Sequence, residues 1–431
     1  MVAGPLVRYL LGLPEIEVRL ADQVAGKAER LAAGHPGGKA LAIDFQNEDA
    51  LRREISGADL VVSLAPYVFH PVIARHCLAL GKNLVTTSYV SEAMRDFDAA
   101  AREAGLLFLN ETGLDPGLDH MEAMRIIDAV KKEGGRIVSF ISWCGGLPAP
   151  EANTNPFGYK FSWSPRGVLL ASKNDARFRM DGRDICIPAE SLFDNPALIT
   201  IENLADFEGY PNRDSLPYIE AYGIRETTTM LRGTLRYKGW CSTLSRMIRL
   251  GLLNREEQVW AGMTYRGFLE RLVVEAAEKE GKPAPSDFRS ALDTDLLDKL
   301  EWLGLTEKKA VPEARGSALD ILAGRMIEKL SYAEGERDMI VLQHRFIAEY
   351  PGTGRAPERI TSTLVDFGIP YGDSSMSRTV GLPAAISVRL ILEGRIKEKG
   401  VHIPVKPGLY GPILDGLKKQ GLVFKEKREA V

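Results

Sequence analysis

The chain contains no apolar run near the roughly 18 residues that a membrane-spanning helix requires, and no basic segment followed by a signal-like apolar core opens it. A cytoplasmic protein with no membrane partner is expected. Charge of one sign is also lacking. The 55 basic and 58 acidic side chains leave −3, which gives no long-range field to gather nucleic acid. Cysteine is scarce, and Cys77, Cys144, Cys186 and Cys241 lack the short spacing of a zinc site or redox pair, so free thiols and no metal are expected. The six histidines form no HExxH run, and no GxSxG elbow occurs, which argues against metal and serine hydrolases. Repeats and low-complexity tracts are absent. What remains is a small-molecule partner.

The composition, 45% apolar over 431 residues, supports two or three packed units. Up to about residue 117, short β-rich runs at 16–22, 40–45, 58–65, 83–87 and 106–110 alternate with helical stretches at 47–56, 70–80 and 91–104. Asn47 and Ser91 suit helix caps. This alternation predicts an α/β fold with a doubly wound parallel sheet of Rossmann type, whose ligands bind at the carboxyl ends of the strands. Loops after Asp22, Leu64, Thr87 and Asn110 would line that edge. The first strand is missing from this pattern, because a helix at 5–11 opens the chain with no strand or glycine-rich turn before it. That strand is central in the doubly wound order, so the expectation is that Met1 is an internal methionine and the product begins upstream.

After Gly134, β-like runs at 136–143 and 226–237 predict a second, mixed sheet. Helical character dominates from 240 to 329, with amphipathic stretches at 256–280 and 290–303. Strand character returns at 338–343, and a long apolar helix is predicted at 377–393.

Asp22 closes the second strand of the pattern, where a carboxylate can accept from the adenosine ribose hydroxyls. With the neutral Gln23 beside it, Asp22 leans towards NAD, although Lys27 is near enough to blur the choice. The plainer reading is a strand-end Asp that caps the next helix. The segment Asn110-Glu-Thr-Gly-Leu-Asp-Pro-Gly-Leu-Asp-His120 is dense in groups of little use to a core, and it follows a strand. Asp115 precedes a proline and is biased to be extended, while Gly113 and Gly117 permit close backbone approach to a ligand. For Asp119 and His120 a helix cap and a packing role are favoured. A metal site from Asp115, Asp119, His120 and Glu122 is rejected, because the spacing matches no recognised set.

This segment, together with Thr86-Thr-Ser-Tyr-Val90, Trp143-Cys-Gly-Gly-Leu-Pro-Ala-Pro150, Asn155-Pro-Phe-Gly-Tyr-Lys-Phe-Ser-Trp-Ser-Pro-Arg-Gly167, Tyr210-Pro-Asn-Arg-Asp-Ser215 and Leu231-Arg-Gly-Thr-Leu-Arg-Tyr237, resembles the glutamate-forming saccharopine dehydrogenases, also called saccharopine reductases. Six ordered motifs spread over nearly the whole chain are far more specific than one glycine fingerprint. The resemblance implies oxidation of the secondary amine of saccharopine to an imine, hydrolysed to glutamate and 2-aminoadipate 6-semialdehyde, or the reverse, in lysine metabolism.

It puts Asp115, Tyr89 and Cys144 near the reacting centre, with Asp115 a proton carrier or iminium stabiliser and Tyr89 an orienting hydroxyl. Cys144 is either a shape-setting wall or an acid–base group. Saccharopine has three carboxylates, for which arginine forks are suited, so Arg213 and Arg232 are the candidates. Gly233, Thr234, Ser88, Tyr89 and Asp115 complete the implied substrate contacts. The implied cofactor is NADP or NAD, held by Val2, Asp22, Gln23, Asp44, Leu64, Thr86, Thr87, Leu114 and Pro116. Residues 161–167 could line the nicotinamide pocket or pack the domain junction.

The expected organisation is a Rossmann-type domain at 1–117 completed by about 374–431, a mixed α+β substrate and dimerisation domain at 118–239 and 330–373, and a helical insertion at 240–329. A homodimer is implied. The rivals are a carboxynorspermidine dehydrogenase, a lysine 6-dehydrogenase, and a cofactor-free binding or scaffold protein.

Overall fold

The structure is a computed structural model that describes residues 2–171 and 173–431. Its strands are β1 (Val18–Asp22), β2 (Gly38–Ala42), β3 (Leu60–Ser63), β4 (Asn83–Thr86), β5 (Leu107–Leu109) and β6 (Arg136–Pro148). There follow β7 (Ala176–Met180), β8 (Arg183–Ile187), β9 (Ala197–Ile201), β10 (Ala205–Pro211), β11 (Thr229–Tyr237), β12 (Gln258–Val259) and β13 (Arg315–Gly316). The last four are β14 (Asp338–Glu349), β15 (Glu358–Phe367), β16 (Gly400–His402) and β17 (Lys425–Ala430). Among the described residues, no helix is long and apolar enough to cross a membrane.

The chain divides into two compact units, the first comprising Met1–Val138, Glu220–Glu226 and Leu342–Val431. Its parallel strands form two ladders, β1 with β2, and β16-β5-β4-β3. The four-stranded ladder matches the alternating pattern of the sequence, because β4 and β5 offer apolar side chains to both faces and are buried accordingly, Leu84 and Phe108 completely. Cys77, Ile73, Met94 and Ala101 pack around them. The fourth strand, β16, comes from far along the chain and pairs Val401 with Phe108.

The helices start where their caps dictate. Asn47 accepts from the Ala50 N–H at 3.0 Å and Ser91 from Met94 at 3.2 Å. Ser374 accepts from Ser377 at 3.1 Å and opens the helix Ser375–Leu392. Within that helix Gly381 is required, because a Cβ there would lie 2.9 Å from the carbonyl of Val2, the residue just before the helix Ala3–Leu11. The helix expected at 91–104 is instead two short ones, Glu92–Arg95 and Asp98–Glu103.

The second unit comprises Ser139–Ile219 and Thr227–Val341. At its centre β11 runs parallel to β6, with Arg232 opposite Ser142 and Thr234 opposite Cys144. On its other side β11 pairs antiparallel with β10, which pairs with β9, while β7 bridges to β11 and pairs with β8. The helices Trp240–Arg249, Tyr265–Lys279, Thr294–Trp302 and Ala318–Lys329 enclose a core that includes Trp260, Phe268, Leu300, Leu322 and Met326. The amphipathic stretch expected from 256 becomes helical only at Tyr265. Gly262 sits at φ +74, and Thr264 caps the helix by accepting from Gly267.

Candidate functional site

In the first unit, the segments after β4 and β5 are bound together. Thr112 reaches the Thr86 carbonyl through both its N–H and its hydroxyl, at 3.2 and 3.0 Å, and the Glu111 N–H donates to the Ser88 carbonyl at 3.2 Å. The Glu111 carboxylate accepts from the Val90 N–H at 2.9 Å, so one residue grips both ends of the Ser88–Val90 turn. Beyond it, the Gly113 N–H donates to the Pro116 carbonyl at 3.0 Å, and Pro116 follows Asp115 in a cis peptide. Gly117 has φ +146, and a Cβ there would stand 2.1 Å from the Gly113 carbonyl oxygen, so no other residue fits. The loop so closed sets Asp115 against Tyr89, whose hydroxyl donates to the Asp115 carboxylate at 2.9 Å.

The same segment also carries a buried polar cluster. The His120 Nε2 is 2.7 Å from the second Glu111 oxygen, and its Nδ1 is 2.6 Å from the Tyr222 hydroxyl. His120, Glu111 and Tyr222 are 0%, 2% and 1% exposed, which in so dry a place makes each partner necessary. His120 does not simply pack, as its sequence context suggests: its ring links Glu111 to Tyr222. Asp119 is likewise not the cap residue, because the helix Leu118–Lys132 is preceded by Gly117, whose N–H donates to the Asp119 carboxylate at 2.6 Å. Glu122 is bound by Arg125 and Ser362.

A second cluster underlies Ser88. The His70 Nδ1 is 2.8 Å from the Ser63 hydroxyl, and its Nε2 is 2.8 Å from the Ser88 hydroxyl and 3.2 Å from that of Thr86. Burial pushes the His70 imidazole down to about 4, so near neutrality it is uncharged, with one nitrogen donating and the other accepting. His70, Glu111 as a clamp and Tyr222 were all missed in the sequence. Tyr222 is 102 positions from His120, so no local pattern joins them.

Of the residues expected at the cofactor, Val2 directly precedes the first helix and is half-buried. Asp22 ends β1, and its carboxylate accepts from the Val24 N–H at 2.8 Å, the local capping role that was the plainer reading. Gln23 is exposed beside it. Asp44 is exposed after β2 and accepts from the Gln46 N–H at 2.9 Å. Leu64 follows β3, while Thr86 and Thr87 end and follow β4. Leu114 and Pro116 are buried in the glycine-closed loop. All but Val2 thus lie at or just past the carboxyl ends of parallel strands.

In the second unit, Arg232 is 3% exposed, and its guanidinium lies 4.3 Å from the centre of the Tyr218 ring. The Arg232 backbone N–H donates to the Ser215 hydroxyl at 3.0 Å. Arg213 is exposed, with φ +54, and its carbonyl accepts from the Arg177 N–H at 2.8 Å. Gly233 has a packing reason, since a Cβ there would overlap the Trp143 ring at 2.1 Å. Thr234 is half-buried, and Cys144 is buried on β6. In the 161–167 run, Phe161 packs edge-on to Tyr159 at 5.5 Å inside the unit's core.

A family model described as the saccharopine dehydrogenase NADP binding domain matches residues 1–109, and one described as the saccharopine dehydrogenase C-terminal domain matches 113–422. Saccharopine dehydrogenase (NADP(+), L-glutamate-forming) of Schizosaccharomyces pombe is 39% identical over 437 residues, covering 99% of this chain and 96% of that protein. The Saccharomyces cerevisiae protein of the same name is 39% identical over 440 residues, with 100% and 97% covered. Mitochondrial alpha-aminoadipic semialdehyde synthase of Bos taurus is 39% identical over 98% of this chain and 46% of its own length. The solved structure of apo histidine-tagged saccharopine dehydrogenase (L-Glu forming) from Saccharomyces cerevisiae superposes with a TM-score of 0.88 at 37% identity, covering 100% of this chain and 98% of that one. The lean towards NAD read from Asp22 is not supported, since the matched domain and both yeast proteins carry NADP in their descriptions.

Proposed function

The chain belongs to the saccharopine dehydrogenase family, and on that premise we propose that it is an NADP(H)-dependent oxidoreductase of lysine metabolism. It interconverts saccharopine, NADP+ and water with glutamate, 2-aminoadipate 6-semialdehyde, NADPH and a proton. The observation that carries the reading is the Tyr89–Asp115 hydrogen bond on the loop that Gly113 and Gly117 close.

The groups at the strand ends suit a dinucleotide. Asp22 and Gln23 would face the adenosine ribose, while Thr86, Thr87, Leu114 and Pro116 would border the nicotinamide. NADP(H), when bound, exchanges a hydride with the amine-bearing carbon of the lysine moiety. Asp115 meets the positive charge of the substrate iminium and takes a proton from the attacking water, and the Tyr89 hydroxyl fixes the carboxylate in one rotamer for both tasks. Glu111 and His70 act through others, by holding the Ser88–Val90 turn and the Ser88 hydroxyl. Arg213 and Arg232 take substrate carboxylates, with Gly233 and Thr234 beside them. Cys144 borders the reacting carbon. Residues 1–117 with 374–431 form the nucleotide domain, and the working form is a homodimer.

Steady-state assays with NADP+ and NAD+ test the cofactor assignment, with saccharopine, lysine and carboxynorspermidine as alternative substrates. NADPH formation with saccharopine, faster than NADH formation, is expected. Faster oxidation of lysine or carboxynorspermidine would instead support the rival amine dehydrogenases.

A further inference from the structure

Five cationic side chains in the second unit are nearly buried, namely Lys160, Arg232, Arg236, Lys299 and Arg325. Lys160 is held by Glu336, Lys299 by Asp295 and Arg325 by Glu328. Arg236 is different. It is 6% exposed, and among the described residues it has no carboxylate partner. Its Nη1 donates to the Leu235 carbonyl at 2.7 Å, and its Nε is buried with no acceptor. The guanidinium sits 5.0 Å from the Tyr159 ring centre and 5.7 Å from that of Trp240. Its cross-strand neighbour on β10, Glu208, spends its two oxygens on the N–H groups of Gly239 and Cys241, each at 2.8 Å.

A guanidinium withdrawn from water with a donor unused is costly unless an anion completes it. Aromatic faces supply part of the compensation but no acceptor for the Nε–H. Alternation along β11 puts Arg236 on the same face as Arg232 and Thr234, and Cys144 flanks Thr234 on β6. Two buried arginines four residues apart along a strand are separated by about 13 Å, a span suited to an elongated polycarboxylate.

We propose that Arg236 is an anion-binding residue that takes one carboxylate of the substrate, Arg232 taking another. The assignment rests on the saccharopine reading above. The planar fork can donate two parallel N–H···O bonds to one carboxylate, which a lysine cannot reproduce.

The test compares wild-type enzyme with Arg236→Lys and Arg236→Gln in the presence of NADP+ and saccharopine. The saccharopine KM is expected to rise about tenfold or more in both variants, with kcat within a few-fold and NADPH affinity unchanged. A KM within about twofold of wild type in both would overturn the proposal. Should both variants fail to fold, phenylglyoxal labelling of the wild-type enzyme decides. Labelling of Arg236 that saccharopine suppresses supports the site; labelling that is indifferent to saccharopine, or no labelling at all, refutes it. If wild-type enzyme does not turn over saccharopine, the functional reading fails first. Labelling with glutarate as the protecting dicarboxylate then tests the subsite alone, with protection upholding it and indifference refuting it.

Discussion

Asp115 was legible as a residue because its neighbours betray it: a proline after it and glycines two positions to either side make sense only in a loop that comes close to something. Its partner Tyr89 was reached through the motif resemblance, 26 positions away in the chain. Asp115→Asn is expected to lower kcat by about 100-fold or more, and Tyr89→Phe by about tenfold, with the pH–rate profile of Tyr89→Phe displaced because the carboxylate loses a donor. Stopped-flow and steady-state rates with saccharopine check both, and wild-type kcat in Asp115→Asn would remove this residue from the chemistry. His70 was illegible, since nothing in a helix-start histidine announces that three hydroxyls from β3, β4 and the following turn converge on it.

His70 also makes a pH prediction. Its imidazole titrates at about 4 in the folded protein against 6.5 for an unperturbed ring, so between those values the unfolded chain binds a proton that the native state refuses. The stability that His70 contributes is therefore fully present above 6.5, falls as pH falls through the window, and is flat below 4. The stability gap between wild type and His70→Gln should shrink between pH 7 and pH 4 in urea titrations. A gap that stays constant would contradict the buried neutral ring.

At the scale of elements, the buried parallel strands and capped helices could be read directly, because apolar runs such as Leu107–Leu109 and side-chain caps such as Asn47 and Ser91 act locally. Several strands could not. β17 reads Lys-Glu-Lys-Arg-Glu-Ala and lies at a sheet edge beside β15, where charged side chains are suited to solvent and leave no apolar alternation to detect. β8 is likewise mostly exposed and is visible only as the partner of β7. The packing of β11 on β6 is tight enough to test by itself. Gly233→Ala would drive a Cβ into the Trp143 ring and is expected to destabilise by about 1–3 kcal/mol, read as a lower Tm. Trp143→Leu in the same chain should restore part of the loss, a non-additive pair, whereas simple addition of the two effects would show that the ring is not what excludes a side chain.

For the whole molecule, the Rossmann-type α/β class followed from strand–helix alternation alone, while the family followed from six motifs that no periodicity could supply. The buried partners of those motifs had to come from the fold, because Glu111, His120 and Tyr222 meet only after residues 220–226 have joined the first unit. Isotope placement shows which carbon–nitrogen bond of the substrate is cleaved. Saccharopine labelled with 15N at the bridging amine is incubated with the enzyme and NADP+, and the amino acids formed are analysed by mass spectrometry. Labelled glutamate is expected, with unlabelled 2-aminoadipate 6-semialdehyde formed mole for mole with NADPH. Labelled lysine together with 2-oxoglutarate would contradict it.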